Sequence, residues 1–329
     1  MAKCNLAFLG FGTVARALQG LLTSHRDAMQ RDYGLTYTIT GVASRRSGWW
    51  ANADGLDPAS PVGIACGDVH DWLTVAGADV VFEAIALEPH TGQPALDYLR
   101  AALEHGAHAI SANKGPIVHG YRALTDLATS RGRRYRFESA VMDGAPLFSL
   151  VRECLPFAGL RAIRGVFTST ATIVLEAVED GRSIADGIVH AQRLGIAEED
   201  PMYDVDGWDS AVKLCALGNV LLDGDLRPGD VVRHGIRDLR EDDVRRARAD
   251  GRPYRLIGDI RRDRTGALQA QVRPVRCEPG DVLGTVRGTS LVTHFEADVF
   301  PGGLTVTSHD PDPVTTAYGM FADFVRLYA

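Results

Sequence analysis

The first fifteen residues constrain the fold of this chain more than any other stretch. A short apolar run at residues 6–9 precedes the sequence GFGTVA at residues 10–15, and leucines at helical spacing follow. A buried strand, a tight glycine turn and a helix, in that order, are typical of a dinucleotide-binding βαβ unit. N–H groups at the helix start would hold the pyrophosphate charge. We therefore predict cofactor contacts at Gly10, Phe11, Gly12, Thr13 and Val14.

The pattern of strands and helices predicts two domains. Up to residue 137, apolar runs (36–43, 80–85 and 108–111) alternate with helical patterns (13–30, 92–105 and 116–130), as in a Rossmann-type, doubly wound parallel sheet. From residue 138 the pattern becomes a mixture of helices (145–155, 183–195 and 209–222) and antiparallel hairpins, and residues 314–328 carry apolar side chains at helical spacing. Ser183 and Asp186 have the spacing of a capping box at the start of the second of these helices. We predict an α/β protein with a dinucleotide-binding domain (1–137), an α+β domain (138–307) and a C-terminal helix (308–329) that returns to the first domain.

Composition excludes several classes of protein. The 329 residues carry a net charge of −7 and no long basic cluster, which argues against a nucleic-acid partner. The five cysteines form no Cys-x-x-Cys pair, which argues against a disulfide framework and fits a reducing compartment. No apolar run reaches membrane-spanning length, and no signal peptide precedes the first strand. We expect a cytoplasmic protein without a membrane or nucleic-acid partner.

The end of the second strand predicts the choice of cofactor. In NAD-binding proteins an acidic residue about 20 positions past the glycines holds the ribose 2′-hydroxyl. Here the strand ends with Ser44, Arg45 and Arg46. Guanidinium groups match a phosphate, so the sequence favours NADP, with NAD as the alternative. The alternative is that Arg45 and Arg46 are exposed loop residues without a ligand. Further cofactor contacts are predicted past later strands, at Ala86, Ser111, Asn113 and Lys114.

A second set of polar residues lies between residues 195 and 213. The run contains six carboxylates and ends with Asp209 and Lys213, which are four residues apart and share one face of a predicted helix. An ammonium group beside carboxylates suits the binding of a small zwitterion and the transfer of a proton. The alternative is an acidic, solvated loop followed by a surface ion pair, which contributes little to stability.

These motifs together resemble the homoserine dehydrogenase family. The glycine turn, ANKG at residues 112–115, ESAVMDGAP at 138–146 and the acidic run from Glu198 to Lys213 follow the family's order. The length is similar to that of the short form without a regulatory domain. The resemblance implies interconversion of L-homoserine and L-aspartate 4-semialdehyde with NAD(P). It also implies that the second domain binds substrate and forms a homodimer.

The resemblance also implies roles for individual residues. Lys213 would donate and accept the proton of the substrate oxygen, Asp209 would orient it, and Lys114 would lie near the reacting carbon or the carboxylate. The remaining residues would bind the substrate's polar groups: Glu198, Asp204, Ser169 and Thr170. A monovalent cation, Na+ or K+, would be held by Glu138, Val141, Asp143 and Ala145.

Three segments depart from the family's pattern. TSTAT at residues 168–172 replaces the family's NGTTN, Ile196 replaces an aromatic residue, and SHDPDP at 308–313 replaces a glycine-rich loop. Two alternatives therefore remain open. One is a dehydrogenase of the same fold that acts on another small hydroxy amino acid or hydroxy acid, and the other is a non-catalytic dinucleotide-binding sensor.

Overall fold

The computed structural model describes residues 2–196 and 201–329, which form two compact units. The first unit consists of Met1–Pro146 and Asp312–Ala329, and the second of Leu147–Pro311. No helix formed by the described residues is long and apolar enough to cross a lipid bilayer.

The first unit is built on a mainly parallel sheet. Its strand order is β4-β3-β2-β1-β5-β6-β7, in which β3 and β4 are antiparallel additions beyond β2. The order reverses between β1 and β5, so the carboxyl ends of these two strands flank the switch point where open α/β sheets bind ligands. Its elements before residue 146 are β1 (Ala2–Leu9), α1 (Thr13–Ser24), α2 (Arg26–Tyr33), β2 (Leu35–Ser44), β3 (Gly48–Ala51), β4 (Ile64–Ala65), α3 (Val69–Ala76), β5 (Val80–Glu83), α4 (Ala95–His105), β6 (His108–Ser111), α5 (Lys114–Ser130) and β7 (Tyr135–Arg136).

The second unit is built on a mainly antiparallel sheet of order β13-β12-β8-β10-β11-β9. A capping box of Ser183 and Asp186 starts α7, as the sequence predicts. The elements are β8 (Leu160–Val166), α6 (Ser169–Glu179), α7 (Ile184–Arg193), α8 (Met202–Val205), α9 (Trp208–Leu221), β9 (Val232–Arg233), α10 (Glu241–Ala249), β10 (Tyr254–Arg262), β11 (Leu268–Arg276), β12 (Leu291–Ala297) and β13 (Phe300–Ser308), and the chain then re-enters the first unit as α11 (Pro313–Val325).

Both faces of the parallel sheet are buried. Because successive side chains of a strand point to opposite faces, Leu6 and Phe8 of β1 join one core while Ala7 and Leu9 join another. The first core includes Phe324 of α11. Helices on both faces and a C-terminal helix in the first unit confirm the predicted fold class.

The segment at residues 138–146 belongs to the first unit, not the second. The hydroxyl of Ser139 donates to the carbonyl oxygen of Thr316 (2.6 Å). Gly144 has a φ of +83°, and a Cβ at this position would collide with the backbone of Thr315 and Gly319. This packing against α11 places the divisions after Pro146 and Pro311, whereas the sequence placed them after residues 137 and 307.

Several elements differ from the sequence-based expectations. A helix predicted over residues 13–30 is divided into α1 and α2 at His25, whose N–H and ring Nδ1 both lie within hydrogen-bonding distance of the carbonyl oxygen of Leu21. A helix predicted over residues 145–155 is only a π-helical turn at Leu150–Cys154. The β3–β4 hairpin and the helices α3, α6 and α10 were not predicted.

Candidate active site

The glycine turn after β1 requires Gly10. Its φ is +86°, and a Cβ at this position would lie 2.6 Å from the carbonyl oxygen of Ala84. The N–H of Gly10 donates to Ala43 O (2.7 Å), and the N–H of Ala84 donates to Leu9 O (2.8 Å). The turn therefore joins the carboxyl ends of β1, β2 and β5 at one edge of the sheet.

The start of α1 fits the phosphates of a dinucleotide. Gly12 is the N-cap residue and is exposed, and a Cβ there would meet no described atom within 4 Å. Amide groups at a helix start have no partner within the helix, so Gly12 leaves room for an anion to approach them. Thr13 is exposed and Val14 half-buried on this first turn, and the buried ring of Phe11 packs edge-to-face on Phe8 (centroids 5.8 Å).

The turn between β2 and β3 carries the predicted phosphate-binding arginines. The hydroxyl groups of Ser44 and Ser47 lie 2.7 Å apart, and the N–H of Ser47 donates to Ser44 Oγ (3.0 Å). Arg45 and Arg46 between them are exposed. Neither arginine forms an ion pair with a residue of the described ranges. The turn thus presents two guanidinium groups at the carboxyl end of β2.

A buried polar network lies at the ends of β5 and β6, and its central residue was missed by the sequence analysis. The Glu83 carboxylate is fully buried and accepts hydrogen bonds from Ser111 Oγ, the N–H of Ile85 (2.9 Å) and Asn113 Nδ2 (3.3 Å). Burial raises the pKa of Glu83 above its ordinary value, although the three hydrogen bonds lower it in part. A lone carboxylate ending an apolar strand is the sequence signal that could have revealed it.

The same network fixes the start of α5. Asn113 Oδ1 accepts the N–H of Gly115 (3.0 Å), which makes Asn113 the N-cap residue, and Lys114 is the first helical residue. Lys114 is half-buried, and Ala86 is exposed in the loop after β5. Ser111, Asn113 and Lys114 therefore lie together at the carboxyl edge of the sheet, with the side chains of Ser111 and Asn113 buried.

In the second unit, Lys213 and Asp209 form a largely buried ion pair on α9. Lys213 Nζ lies 2.8 Å from Asp209 Oδ2, and the side chains are 14% and 11% exposed. Nζ also donates to the carbonyl oxygen of Phe167 (2.6 Å), just beyond β8. Two acceptors from different elements thus hold the ammonium group in one position. This geometry is not that of the solvated surface pair considered as an alternative.

The predicted substrate residues are partly brought together. Thr170 is buried in the first turn of α6, and its hydroxyl donates to Asp204 Oδ2 (2.7 Å). Ser169 is half-buried at the first position of the same helix. Glu198 lies outside the described residues.

The segment predicted to hold a monovalent cation packs against α11. Glu138 is buried, and its N–H donates to Asp323 Oδ2 (2.8 Å). Asp143 has a φ of +48°, and its carboxylate accepts from Thr316 Oγ1 (3.2 Å). Val141 is buried in this segment and Ala145 is half-buried. The described part of the chain contains no group of three or more His, Cys, Asp or Glu side chains suited to a metal ion.

The acidic and proline residues at positions 308–313, where the family has a glycine-rich loop, have structural roles at the start of α11. Asp312 caps α11 by accepting the N–H groups of Val314 (2.8 Å) and Thr315 (2.9 Å), and Pro313 occupies the first helical position. Asp310 has a φ of +44°, and its carboxylate accepts from Thr289 Oγ1 (3.0 Å) within the second unit. The acidic and proline residues therefore end one unit and start the helix that returns to the other.

The fold and these two sites define the class of protein. A dinucleotide-binding turn at a sheet switch point, together with a lysine held by an aspartate, is typical of NAD(P)-dependent oxidoreductases. Family models agree: "Homoserine dehydrogenase, NAD binding domain" matches residues 10–138, and "Homoserine dehydrogenase" matches residues 146–325.

Comparisons with individual proteins name the family. The chain is 32% identical to the NAD(+)-dependent homoserine dehydrogenase of Pseudomonas canavaninivorans, over 100% of this chain and 97% of that protein. A crystal structure of a putative homoserine dehydrogenase from Archaeoglobus fulgidus is 25% identical, with a TM-score of 0.86 and 99% of each chain covered. A hyperthermophilic archaeal homoserine dehydrogenase mutant in complex with NADPH has the same fold (TM-score 0.82, 24% identity, 99% and 97% covered). This chain belongs to the homoserine dehydrogenase family and is an NAD(P)-dependent oxidoreductase.

Proposed function

We propose that this enzyme interconverts L-homoserine and L-aspartate 4-semialdehyde. The observation that carries the proposal is the pair of Lys213 and Asp209, whose charged atoms lie 2.8 Å apart in a largely buried setting. Family membership favours this substrate over another hydroxy acid. The departures at residues 168–172 and 308–313 leave the second reading, a related hydroxy amino acid, as an outcome of the test.

Lys213 has the geometry for the proton transfer that accompanies oxidation. A nicotinamide cofactor held by the turn after β1 and by the start of α5 would supply the hydride acceptor for oxidation of the alcohol carbon and the hydride donor for the reverse reaction. As the alcohol becomes an aldehyde, Lys213 in its neutral form takes the hydroxyl proton, and in the reverse direction its ammonium group gives a proton to the oxygen. Asp209 and the carbonyl oxygen of Phe167 hold Nζ in place through both directions.

The other predicted residues supply binding. Asp204, positioned by the hydroxyl of Thr170, would accept the ammonium group of the substrate together with Glu198, and Ser169 is available for its carboxylate. On the first unit, the amides from Gly12 to Val14 would hold the pyrophosphate. Ser111 and Asn113 would contact the cofactor, and Lys114 would lie near the nicotinamide or the reacting carbon.

The test of the activity uses a matched pair of lysine substitutions. Purified enzyme is given L-homoserine with NADP+ or NAD+ at alkaline pH, and the absorbance of the reduced nicotinamide is followed. Lys213→Ala should lower kcat about 10²- to 10⁴-fold, the usual contribution of general acid–base catalysis. Lys3→Ala, an exposed lysine on β1, should leave it unchanged.

Three results would contradict this assignment. Unchanged kcat in Lys213→Ala would remove the proposed proton relay. Cofactor binding without homoserine turnover, with activity on other small hydroxy acids, would favour the same-fold alternative. Cofactor binding with no turnover of any compound in such a panel would favour a sensor.

NADP preference is a separate part of the proposal. Its support is the ordered turn that presents Arg45 and Arg46 and the absence of an acid at the end of β2. The relative from Pseudomonas canavaninivorans is NAD(+)-dependent, so family membership alone does not decide the cofactor. Arg45→Ala should raise the KM for NADP+ about 10- to 100-fold, the worth of a hydrogen bond between charged groups, and leave that for NAD+ unchanged. Equal effects on both cofactors would contradict the phosphate contact.

We also propose a cytoplasmic homodimer and a monovalent cation site. The cation would be held by Glu138 and the backbone of Val141, Asp143 and Ala145. Activity should then be low in a buffer whose only cations are large organic ones, and it should recover when Na+ or K+ is added.

Light scattering on a size-exclusion column measures the oligomeric state directly. A monomer that retains full activity would contradict the homodimer.

A further inference from the structure

The buried Glu83 carboxylate lies at the carboxyl ends of β5 and β6, beneath residues that the proposed function assigns to the cofactor. Glu83 is 0% exposed, and its neighbour across the strand pair is Ser111. An uncompensated carboxylate would be costly in this position, because burial penalises the charged form. A carboxylate is retained here with hydrogen bonds to both oxygens, and this calls for a role beyond packing.

Three residues form hydrogen bonds with the Glu83 carboxylate. Ser111 Oγ donates to one carboxylate oxygen, while the N–H of Ile85 and Asn113 Nδ2 donate to the other. The N–H of Ile85 and Asn113 Nδ2 can only donate, so one carboxylate oxygen accepts from both, and the Ser111 hydroxyl links the other oxygen to the turn that follows β6.

The hydrogen bonds of Glu83 also orient the side chains in the turn at residues 111–115. Because the Ser111 hydroxyl donates to Glu83, its oxygen accepts the N–H of Asn113 (2.9 Å). Because Asn113 Nδ2 faces Glu83, its Oδ1 faces the N–H of Gly115 (3.0 Å) and caps α5. One carboxylate therefore fixes both the orientation of the Asn113 amide and the path of the backbone that presents Lys114.

We propose that Glu83 is a positioning residue for the cofactor site, which acts through Ser111 and Asn113 to hold the start of α5 in its binding conformation. This inference rests on the proposed function, because it takes Ser111, Asn113 and Lys114 as cofactor contacts. Glu83 itself would not touch the cofactor. Its removal should weaken cofactor binding while the fold is retained.

The experiment is a double-mutant cycle on cofactor affinity. Glu83→Gln keeps the shape of the side chain and removes its charge, and Ser111→Ala removes the hydroxyl that links Glu83 to the Asn113 amide. The Kd of NADPH and NADH is measured by fluorescence titration of the full-length protein, with thermal unfolding as the check on folding. Each substitution should raise the Kd about tenfold. The Kd of the double variant should be no higher than the higher of the two single-variant values, because the two residues act in one network.

Tyr135→Phe is the matched control. The Tyr135 hydroxyl is buried beside the same carboxylate, yet it forms no hydrogen bond with any residue of the described ranges. Its removal changes the surroundings of Glu83 without changing the network, so the Kd should stay at the wild-type value.

The outcomes separate this inference from the proposed function. Wild-type affinity in Glu83→Gln, or effects of the two substitutions that multiply, would overturn the role of Glu83 alone. If Glu83→Gln does not fold, an unchanged Kd in Ser111→Ala still overturns it. A wild-type protein that binds neither cofactor overturns the proposed function and this inference with it.

Discussion

The buried carboxylate of Asp323 on α11 should make the stability of this protein depend on pH. Asp323 is 2% exposed and accepts the N–H of Glu138 (2.8 Å). Burial is the largest influence on its pKa, which is raised from 3.8 to about 7. The charge of Glu138 also raises this pKa, whereas the Glu138 N–H and the charges of Arg136 and Arg326 lower it.

The sign and size of the effect follow from proton binding. Between the unfolded and folded pKa values, the folded state holds a proton that the unfolded state has lost. The free energy of unfolding therefore falls as pH rises, by about 1.4 kcal/mol per pH unit in the interval between the two pKa values. Between pH 5 and pH 8 the contribution of this one group falls by roughly 2–3 kcal/mol.

Asp323→Asn should remove this pH dependence. The amide oxygen of asparagine can still accept the N–H of Glu138, and the side chain carries no charge at any pH. Thermal unfolding is measured from pH 5 to pH 8 for both proteins. The wild-type Tm should fall by about 5–10 °C more than that of the variant over this range, taking about 2–4 °C per kcal/mol.

Parallel curves for the two proteins would refute the argument. Asp298→Asn serves as the control, because this aspartate lies in an exposed surface pair with Arg161 (side chains 66% and 62% exposed) and should contribute little. A variant Asp323→Asn that is less stable than wild type at pH 8 would also contradict a buried charge as the cause.

Other substitutions test the packing and the glycine turn. Glu179→Ala leaves the fully buried Arg255 without the carboxylate that lies 2.9 Å away, and should cost about 3–5 kcal/mol in urea unfolding; a loss below about 1 kcal/mol would show that other groups compensate. Gly10→Ala should lower both Tm and cofactor affinity, because its Cβ would meet Ala84 O and its φ is positive. Gly12→Ala should lower cofactor affinity with Tm unchanged, and equal Tm losses in the two variants would contradict the assigned roles.

Features that depend on local spacing could be predicted from the sequence. The strand, glycine turn and helix at the N-terminus occupy a continuous stretch, and Asp209 and Lys213 are one helical turn apart, so periodicity alone placed each set correctly. The capping box of α7 is equally local. The fold class followed from the order of such elements.

Elements without a clear pattern could not be predicted. The helix α6 is buried over most of its length and is rich in Thr, Val and Ile, so it has no polar face to reveal helical periodicity. At the other extreme, α10 buries only Val244 and Ala247, and its apolar stripe is too narrow to detect.

The two polar side-chain networks, one in each unit, could not be predicted for a different reason. Glu83 and Ser111 are 28 positions apart, and Thr170 and Asp204 are 34 apart, so only the folded chain brings each pair together. The end of a predicted strand indicated Ser111, and the family resemblance indicated Thr170 and Asp204, but neither could show what orients these side chains.

The return of the chain to the first unit has a consequence for its biosynthesis. Met320 and Phe324 of α11 belong to the same core as β1 and α1, and the whole second unit lies between them in the sequence. During translation one apolar face of the N-terminal sheet therefore lacks part of its cover until the last helix leaves the ribosome. Loss of the final residues by premature termination or proteolysis would leave that face open to aggregation, even in a chain whose second unit has folded completely.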